Sequence, residues 1–294
     1  MTAAELTIIP TGGALGAIVT DLDTSRPVSS EIILRLKQAL RDHHILIFKH
    51  QTLSEAQLLE FATYFGDVFV PPENVPVLGS KPGNPPLVVT IANAAPEYGS
   101  GGALLDNVEL LPHTDHQWAP RPSSGSLLYA LEVPERGGDT QWANLIKAYE
   151  ELDAGTKEEI ANLQLITYNP FLEDEESGNV TATYHSEKSP CKTLNQTLFS
   201  HPLVRTHPES GRKVLYLDRA YEVEVVGMEA KTGAELIERL RKHISQPQFY
   251  YNHRWSVGDI VYWDNQCTLH YRPAFEQTAR RVMKRVSLAG SRPF

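Results

Sequence analysis

The segment Leu111-Pro112-His113-Thr114-Asp115-His116-Gln117-Trp118 sets a histidine and a carboxylate two residues apart in a stretch that reads as extended. Side chains at i and i+2 of a strand share a face, so His113 and Asp115 are expected to point one way and His116 the other. With a second imidazole from elsewhere they would form a two-histidine, one-carboxylate triad, which holds one face of a ferrous ion and leaves the other positions open. The spacing alone is weak. His-x-acid recurs at His185-Ser186-Glu187 and His207-Pro208-Glu209 in a chain with 11 histidines, and about one His-x-Asp is expected there by chance.

Outward from this segment the chain reads as short strands decorated by helices. Ile45-Leu46-Ile47-Phe48, Leu87-Val88-Val89-Thr90-Ile91, Ser126-Leu127-Leu128-Tyr129-Ala130, Val214-Leu215-Tyr216-Leu217 and Ile260-Val261-Tyr262-Trp263 have strand character. Ser29-Ser30 is expected to cap a helix buried through Leu36, Ala39 and Leu40, and Ser54-x-x-Gln57 a second one that Gly66 can end. Asn144, Thr156 and Thr232 are expected to cap three more. Residues 169–200 lack periodicity and include Glu173-Asp174-Glu175-Glu176, which suits either a solvated loop or a lid closing over a site. No repeat or linker divides the chain, so residues 1–294 are expected to be one mostly β domain with flanking helices.

Composition narrows the function classes. A formal net charge of -9 without a basic patch argues against nucleic acid or an anionic membrane as partner. No apolar run approaches a membrane span and no secretory leader is evident, so a soluble, cytoplasmic protein is expected. Cys191 and Cys267 lie far apart and suggest neither a disulfide framework nor a thiolate zinc site.

Near the carboxyl end, Arg281, Met283 and Arg285 would share one face of a strand, with Val282, Val286 and Leu288 on the other. Arginine on an inward face needs an anion; the alternative is a pair of surface ion pairs.

Leu15-Gly16-Ala17, Phe65-Gly66-Asp67, His113-Thr114-Asp115, Gly137-Gly138-Asp139-Thr140, His201-Pro202-Leu203-Val204-Arg205-Thr206-His207-Pro208, Trp263-Asp264-Asn265 and Arg280-Arg281 span nearly the whole chain. In order and spacing they resemble the taurine dioxygenase and 2,4-dichlorophenoxyacetate dioxygenase (TauD/TfdA-like) family. The resemblance implies a double-stranded β-helix, or jelly roll, and an Fe(II)- and 2-oxoglutarate-dependent dioxygenase using O2. It assigns the metal to His113, Asp115 and His270, the distal carboxylate of 2-oxoglutarate to Arg281 and Thr140, and the anionic group of a small substrate to Arg285. It places Trp118 and Tyr221 over the substrate, has Asp264 and Asn265 orient one wall, and implies a homo-oligomer, dimer or tetramer.

The implied reaction is oxidative decarboxylation to succinate and carbon dioxide with oxidation of a substrate carbon, followed by bond cleavage where that carbon bears a heteroatom. Asp115 fills the carboxylate position, which disfavours a halogenase. Relatives that take a small aminosulfonate carry other residues where this chain has Pro71, Asn74 and Glu109, so taurine is not the expected substrate. Sulfonates, sulfate esters, aryloxyalkanoates and amino-acid derivatives stay open, Glu109 suiting a substrate with an added cationic group. A desaturase acting on an amino-acid-derived natural-product intermediate, a non-catalytic metal- and 2-oxoglutarate-binding jelly roll, and a zinc hydrolase are the alternatives.

Overall fold

Burial along one strand shows how the molecule is layered. In Ile260–Asp264, Ile260 and Tyr262 enter an apolar cluster with two helices, while Val261 and Trp263 enter a different cluster on the opposite face. The strand is apolar on both sides, as expected of one covered on both faces. The computed structural model describes residues 6–71, 86–93, 102–104, 107–169, 171–173, 180–182, 199–221 and 223–294.

The larger sheet has eight strands in the order β1 (Thr7–Pro10), β2 (Ala17–Thr20), β3 (Ile45–Phe48), β17 (Ile260–Asp264), β7 (Gly125–Glu132), β19 (Val282–Leu288), β4 (Val89–Ala92) and β5 (Gly102–Leu104), numbered along the chain. Neighbours are antiparallel except for β2 with β3 and β4 with β5. A four-stranded antiparallel sheet packs against it: β16 (Tyr250–His253), β8 (Thr140–Asn144), β18 (Thr268–Arg272) and β6 (Leu110–His113). Ile45, Ile47, Leu128, Val261 and Trp263 of the larger sheet meet Trp142 of the smaller one, whose ring centroid lies 5.8 Å from that of Trp263. This mostly β sandwich is the jelly roll that the sequence leads one to expect.

Helices close the outer faces. α1 (Ser30–His43) begins at Ser29, whose side chain accepts the Ile32 N–H, and it buries Leu36, Ala39 and Leu40 against the larger sheet. α2 (Glu55–Thr63) opens with the full Ser54/Gln57 capping box and ends at Thr63, ahead of Gly66. On the far side, α3 (Leu145–Glu150), α4 (Ala154–Ile160) and α5 (Ala230–Ile244) cover Ala143 and Leu269 of the smaller sheet together with the short strands β9 (Gln164–Thr167), β12 (Ser200–Pro202), β13 (Val204–Thr206), β14 (Lys213–Leu215) and β15 (Val223–Val225). β10 (Phe171–Glu173) and β11 (Val180–Ala182) form a separate antiparallel pair.

Two caps differ from expectation. Asp153 and Glu229 cap α4 and α5 by accepting the N–H groups of Thr156 and Thr232, which sit three residues inside. A carboxylate also complements the positive end of the helix dipole, so it outcompetes a threonine hydroxyl for this place. The expected lid at 169–200 lies mostly outside the described residues, and Cys191 lies outside them too. No described helix is long and apolar enough to cross a membrane.

Phe61 of α2 is 1% exposed and meets Phe48 edge-on, with ring centroids 5.3 Å apart. Phe61→Ala should therefore cost about 3–5 kcal/mol in urea unfolding. A loss below about 1 kcal/mol would show that α2 does not anchor the larger sheet.

Candidate metal centre

The donors come together through backbone geometry that the sequence pattern only half reveals. β6 stops at His113, and Asp115 lies in the turn that follows rather than in the strand. Asn265, fully buried in the turn between β17 and β18, holds that turn from both sides: its Oδ1 accepts the Asp115 N–H at 3.0 Å and its Nδ2 donates to the Asp115 carbonyl at 2.9 Å. His270 lies on β18, paired with His113 of β6 and Trp142 of β8. One Asp115 carboxylate oxygen sits 3.9 Å from His113 Nε2 and 3.8 Å from His270 Nε2, and the three donor atoms all lie within 4.8 Å of one another.

The protonation of the donors suits a divalent cation. His113 Nδ1 lies 2.7 Å from the Leu111 carbonyl, so the proton belongs there and Nε2 offers its lone pair to the centre. Burial pulls down the pKa of His113 and takes His270 to about 3 with help from the adjacent His113, leaving both rings neutral. Burial pushes Asp115 up, but the Arg285 charge beside it acts the other way, and the carboxyl stays well below the usual range. Two neutral imidazoles and one carboxylate match the donor set that takes ferrous iron.

Three guanidinium groups share this cavity. Arg285 Nη1 lies 3.4 Å from the Asp115 carboxylate, and its buried Nε has no hydrogen-bond partner. Arg281, 4% exposed, donates from Nε to the Gly138 carbonyl and from Nη2 to Thr140 Oγ1. Gly137 and Gly138 both adopt left-handed φ, and a Cβ at Gly138 would lie 2.9 Å from Pro134 and 3.3 Å from Arg281 Cδ; glycine lets this carbonyl reach the guanidinium. Thr140 Oγ1 also accepts Trp255 Nε1 at 2.9 Å, so its own hydroxyl proton is left to donate. Burial, with repulsion from Arg272, lowers the Arg281 pKa to about 9. The charge of Asp139 offsets this in part.

Tyr221 also lines the cavity, its ring edge-on to His113. Trp118 is buried outside it, and Glu109 accepts the Tyr271 hydroxyl at 2.7 Å beside a neighbouring depression. His116 is a correction: it lines the cavity, because a left-handed φ of 60° there breaks the strand alternation, and its ring stacks on Phe69. Arg272 joins the lining as well, and its place two residues after His270 on β18 was the available signal. A second cluster, His207, Asp264 and Cys267, is structural: His207 Nε2 donates to Asp264 at 2.8 Å and Nδ1 accepts the Ser210 N–H. Neither ring nitrogen is left for a metal.

The profile of the "Taurine catabolism dioxygenase TauD, TfdA family" matches residues 7–287. The chain belongs to this family. As a TauD, TfdA-family enzyme it is a 2-oxoglutarate-dependent dioxygenase using Fe(II), 2-oxoglutarate and O2. It is 29% identical to pentalenolactone F synthase of Streptomyces avermitilis, over 97% of this chain and 94% of that one. It is 28% identical to the alpha-ketoglutarate-dependent 2,4-dichlorophenoxyacetate dioxygenase of Cupriavidus pinatubonensis, over 92% of each. A taurine dioxygenase from Burkholderia xenovorans superposes with a TM-score of 0.77 at 28% identity, covering 99% of this chain and 93% of its own.

Asn265→Ala should weaken Mn(II) binding about 10- to 100-fold in calorimetric titration, since the Asp115 turn loses its clamp; unchanged affinity would make Asn265 a bystander. Asp218, fully buried, holds the turn carrying Tyr221 by accepting its N–H, and burial raises its carboxyl from 3.8 to about 7 against the pull of Arg241. Across that window the folded chain keeps a proton that the unfolded chain loses, so stability should fall as pH rises. Asp218→Asn should flatten this slope in denaturant titrations at pH 5, 6 and 7.5, and an identical slope would place the titration elsewhere.

Proposed function

We propose that His113 Nε2, the Asp115 carboxylate and His270 Nε2 bind the ferrous ion, that Arg281 and Thr140 hold the distal carboxylate of 2-oxoglutarate, and that Arg285 receives the anionic group of a small organic substrate. The observation that carries this reading is the convergence of three metal donors and buried guanidinium groups in one cavity whose described lining contains Asp115 as its single acid. That excess of positive charge calls for anionic ligands.

Each side chain has a task. His113 and His270 arrive neutral, His113 oriented by the Leu111 carbonyl, and the Asp115 carboxylate is ionised where it is needed. Arg281 and the Thr140 hydroxyl set the depth of the cosubstrate by gripping the end remote from the metal. Arg285, beside Asp115, brings a substrate anion close enough for a neighbouring C–H bond to face the open metal positions. Ile91, Leu110 and Leu128 offer an apolar wall and exclude water from the reacting carbon. When bound, iron would activate O2, the oxidant, and 2-oxoglutarate would supply two of the four electrons it takes, leaving as succinate and carbon dioxide.

The substrate read from this lining is an anionic head on an apolar body, such as an aryloxyalkanoate or a sulfate ester. A relative whose name specifies 2,4-dichlorophenoxyacetate supports that class. Oxidation beside oxygen or nitrogen would lead on to cleavage of the carbon–heteroatom bond. A cationic group on the substrate has less support, because Glu109 is engaged with Tyr271 outside the cavity. The single-domain reading of residues 1–294 gains support from cavity walls drawn from Ile91 to Arg285, and a homo-oligomer is retained from the family resemblance.

Anaerobic titration with Fe(II) and then 2-oxoglutarate should give a visible charge-transfer band that Asp115→Ala and Arg281→Ala each weaken at least tenfold in apparent affinity. Oxygen uptake across aryloxyalkanoates, sulfate esters, sulfonates and amino-acid derivatives then finds the substrate, with Arg285→Gln raising its KM. Iron binding without a band would defeat the residue assignment.

A further inference from the structure

The inner face of the larger sheet carries two hydroxyl groups that its apolar packing does not require. On β7 the period of two puts Ser126 on the same face as Leu128 and Ala130, and on β19 it puts Ser287 with Met283 and Arg285. The strands are neighbours and Ser126 pairs directly with Ser287, their hydroxyl oxygens 3.0 Å apart. Ser126 is fully buried, and its Oγ reaches Asp115 Oδ2 at 3.4 Å. An ionised carboxylate can only accept, so the Ser126 proton goes to Asp115 and the Ser287 proton to Ser126.

The two oxygens of Asp115 therefore have different surroundings. Oδ1 faces the histidines, 3.9 Å from His113 Nε2 and 3.8 Å from His270 Nε2, while Oδ2 is turned toward the serine pair. Arg285 Nη1 lies 3.4 Å from Oδ1 and 3.5 Å from Oδ2 and does not tell them apart. We propose that Ser126, backed by Ser287, is a positioning residue that holds Asp115 Oδ2 away from the metal, so that Asp115 binds through Oδ1 alone. The proposal rests on the assignment of the ferrous ion to His113, Asp115 and His270. An octahedral ion held by three single-atom donors keeps its opposite face open, with room for a chelating 2-oxo acid and for O2. A carboxylate bound through both oxygens would occupy the place that O2 needs. Arg285 leaves Asp115 when it turns to a substrate anion, whereas the serine pair, fixed in two adjoining strands, stays.

The test counts the water molecules on Mn(II) bound to the protein by water-proton relaxation, a readout that a purely structural role would not move. The parent should carry about three waters, and Ser126→Ala about two as Oδ2 swings onto the ion. Ser287→Ala, which removes the backing hydroxyl at a half-buried position, should give a value between them. Urea midpoints close to that of the parent establish that each variant is folded; if Ser126→Ala does not fold, Ser287→Ala decides alone. An unchanged water count in the folded variants overturns the proposal, and so does a parent that already carries about two waters. Failure of the metal assignment reads differently: Asp115→Ala would then leave Mn(II) affinity unchanged, and the role of Ser126 would fall with it.

Discussion

Charge held between two apolar sheets is the constraint on which the site depends. The sandwich interior is made of isoleucine, leucine and tryptophan, a medium in which an isolated ion is very costly. Asp115, Arg272, Arg281 and Arg285 nevertheless line one cavity there. They are tolerated because each is partly compensated: Asp115 by Arg285, Arg281 by the Gly138 carbonyl and Thr140, Arg272 by the Val108 carbonyl. Among the described residues, three arginines and one carboxylate line the cavity. A polypeptide that leaves such an imbalance inside itself is shaped for anions that come from outside.

Much of this was legible in the sequence because it followed from periodicity and local chemistry. The apolar run Ile260-Val261-Tyr262-Trp263 read as a strand, and Ser29 and Ser54 marked helix starts that the structure keeps. The inward face of Arg281 and Arg285 was readable from the period of two, and both line the cavity. Matching motifs along the chain brought in His270 and Thr140, which no local pattern would have paired with His113 across so many residues.

What stayed hidden depended on backbone conformation and on distant partners. Asp115 lies beside His113 through a turn clamped by Asn265, not through strand alternation. The left-handed φ of His116 reverses the face it presents, and a period-two reading cannot see such a break. Asp153 and Glu229 displaced Thr156 and Thr232 as caps because a charged acceptor one turn earlier takes the threonines' own N–H groups and starts each helix sooner. Trp118 and Glu109 sit close in sequence to His113 and Asp115 yet outside the cavity, since proximity along a turning chain says little about direction.

The Asn265 clamp also bears on how the protein reaches and keeps its native state. It joins residues 150 positions apart, so the carboxylate is positioned only after the last strands of the chain have docked. Contacts of such long range form late and slow the search. Before that moment the chain has two histidines and an aspartate but no pocket for an ion. A metal that binds only the finished arrangement stabilises it by mass action, so the supply of iron should govern how long a newly made chain survives proteolysis as well as whether it can turn over.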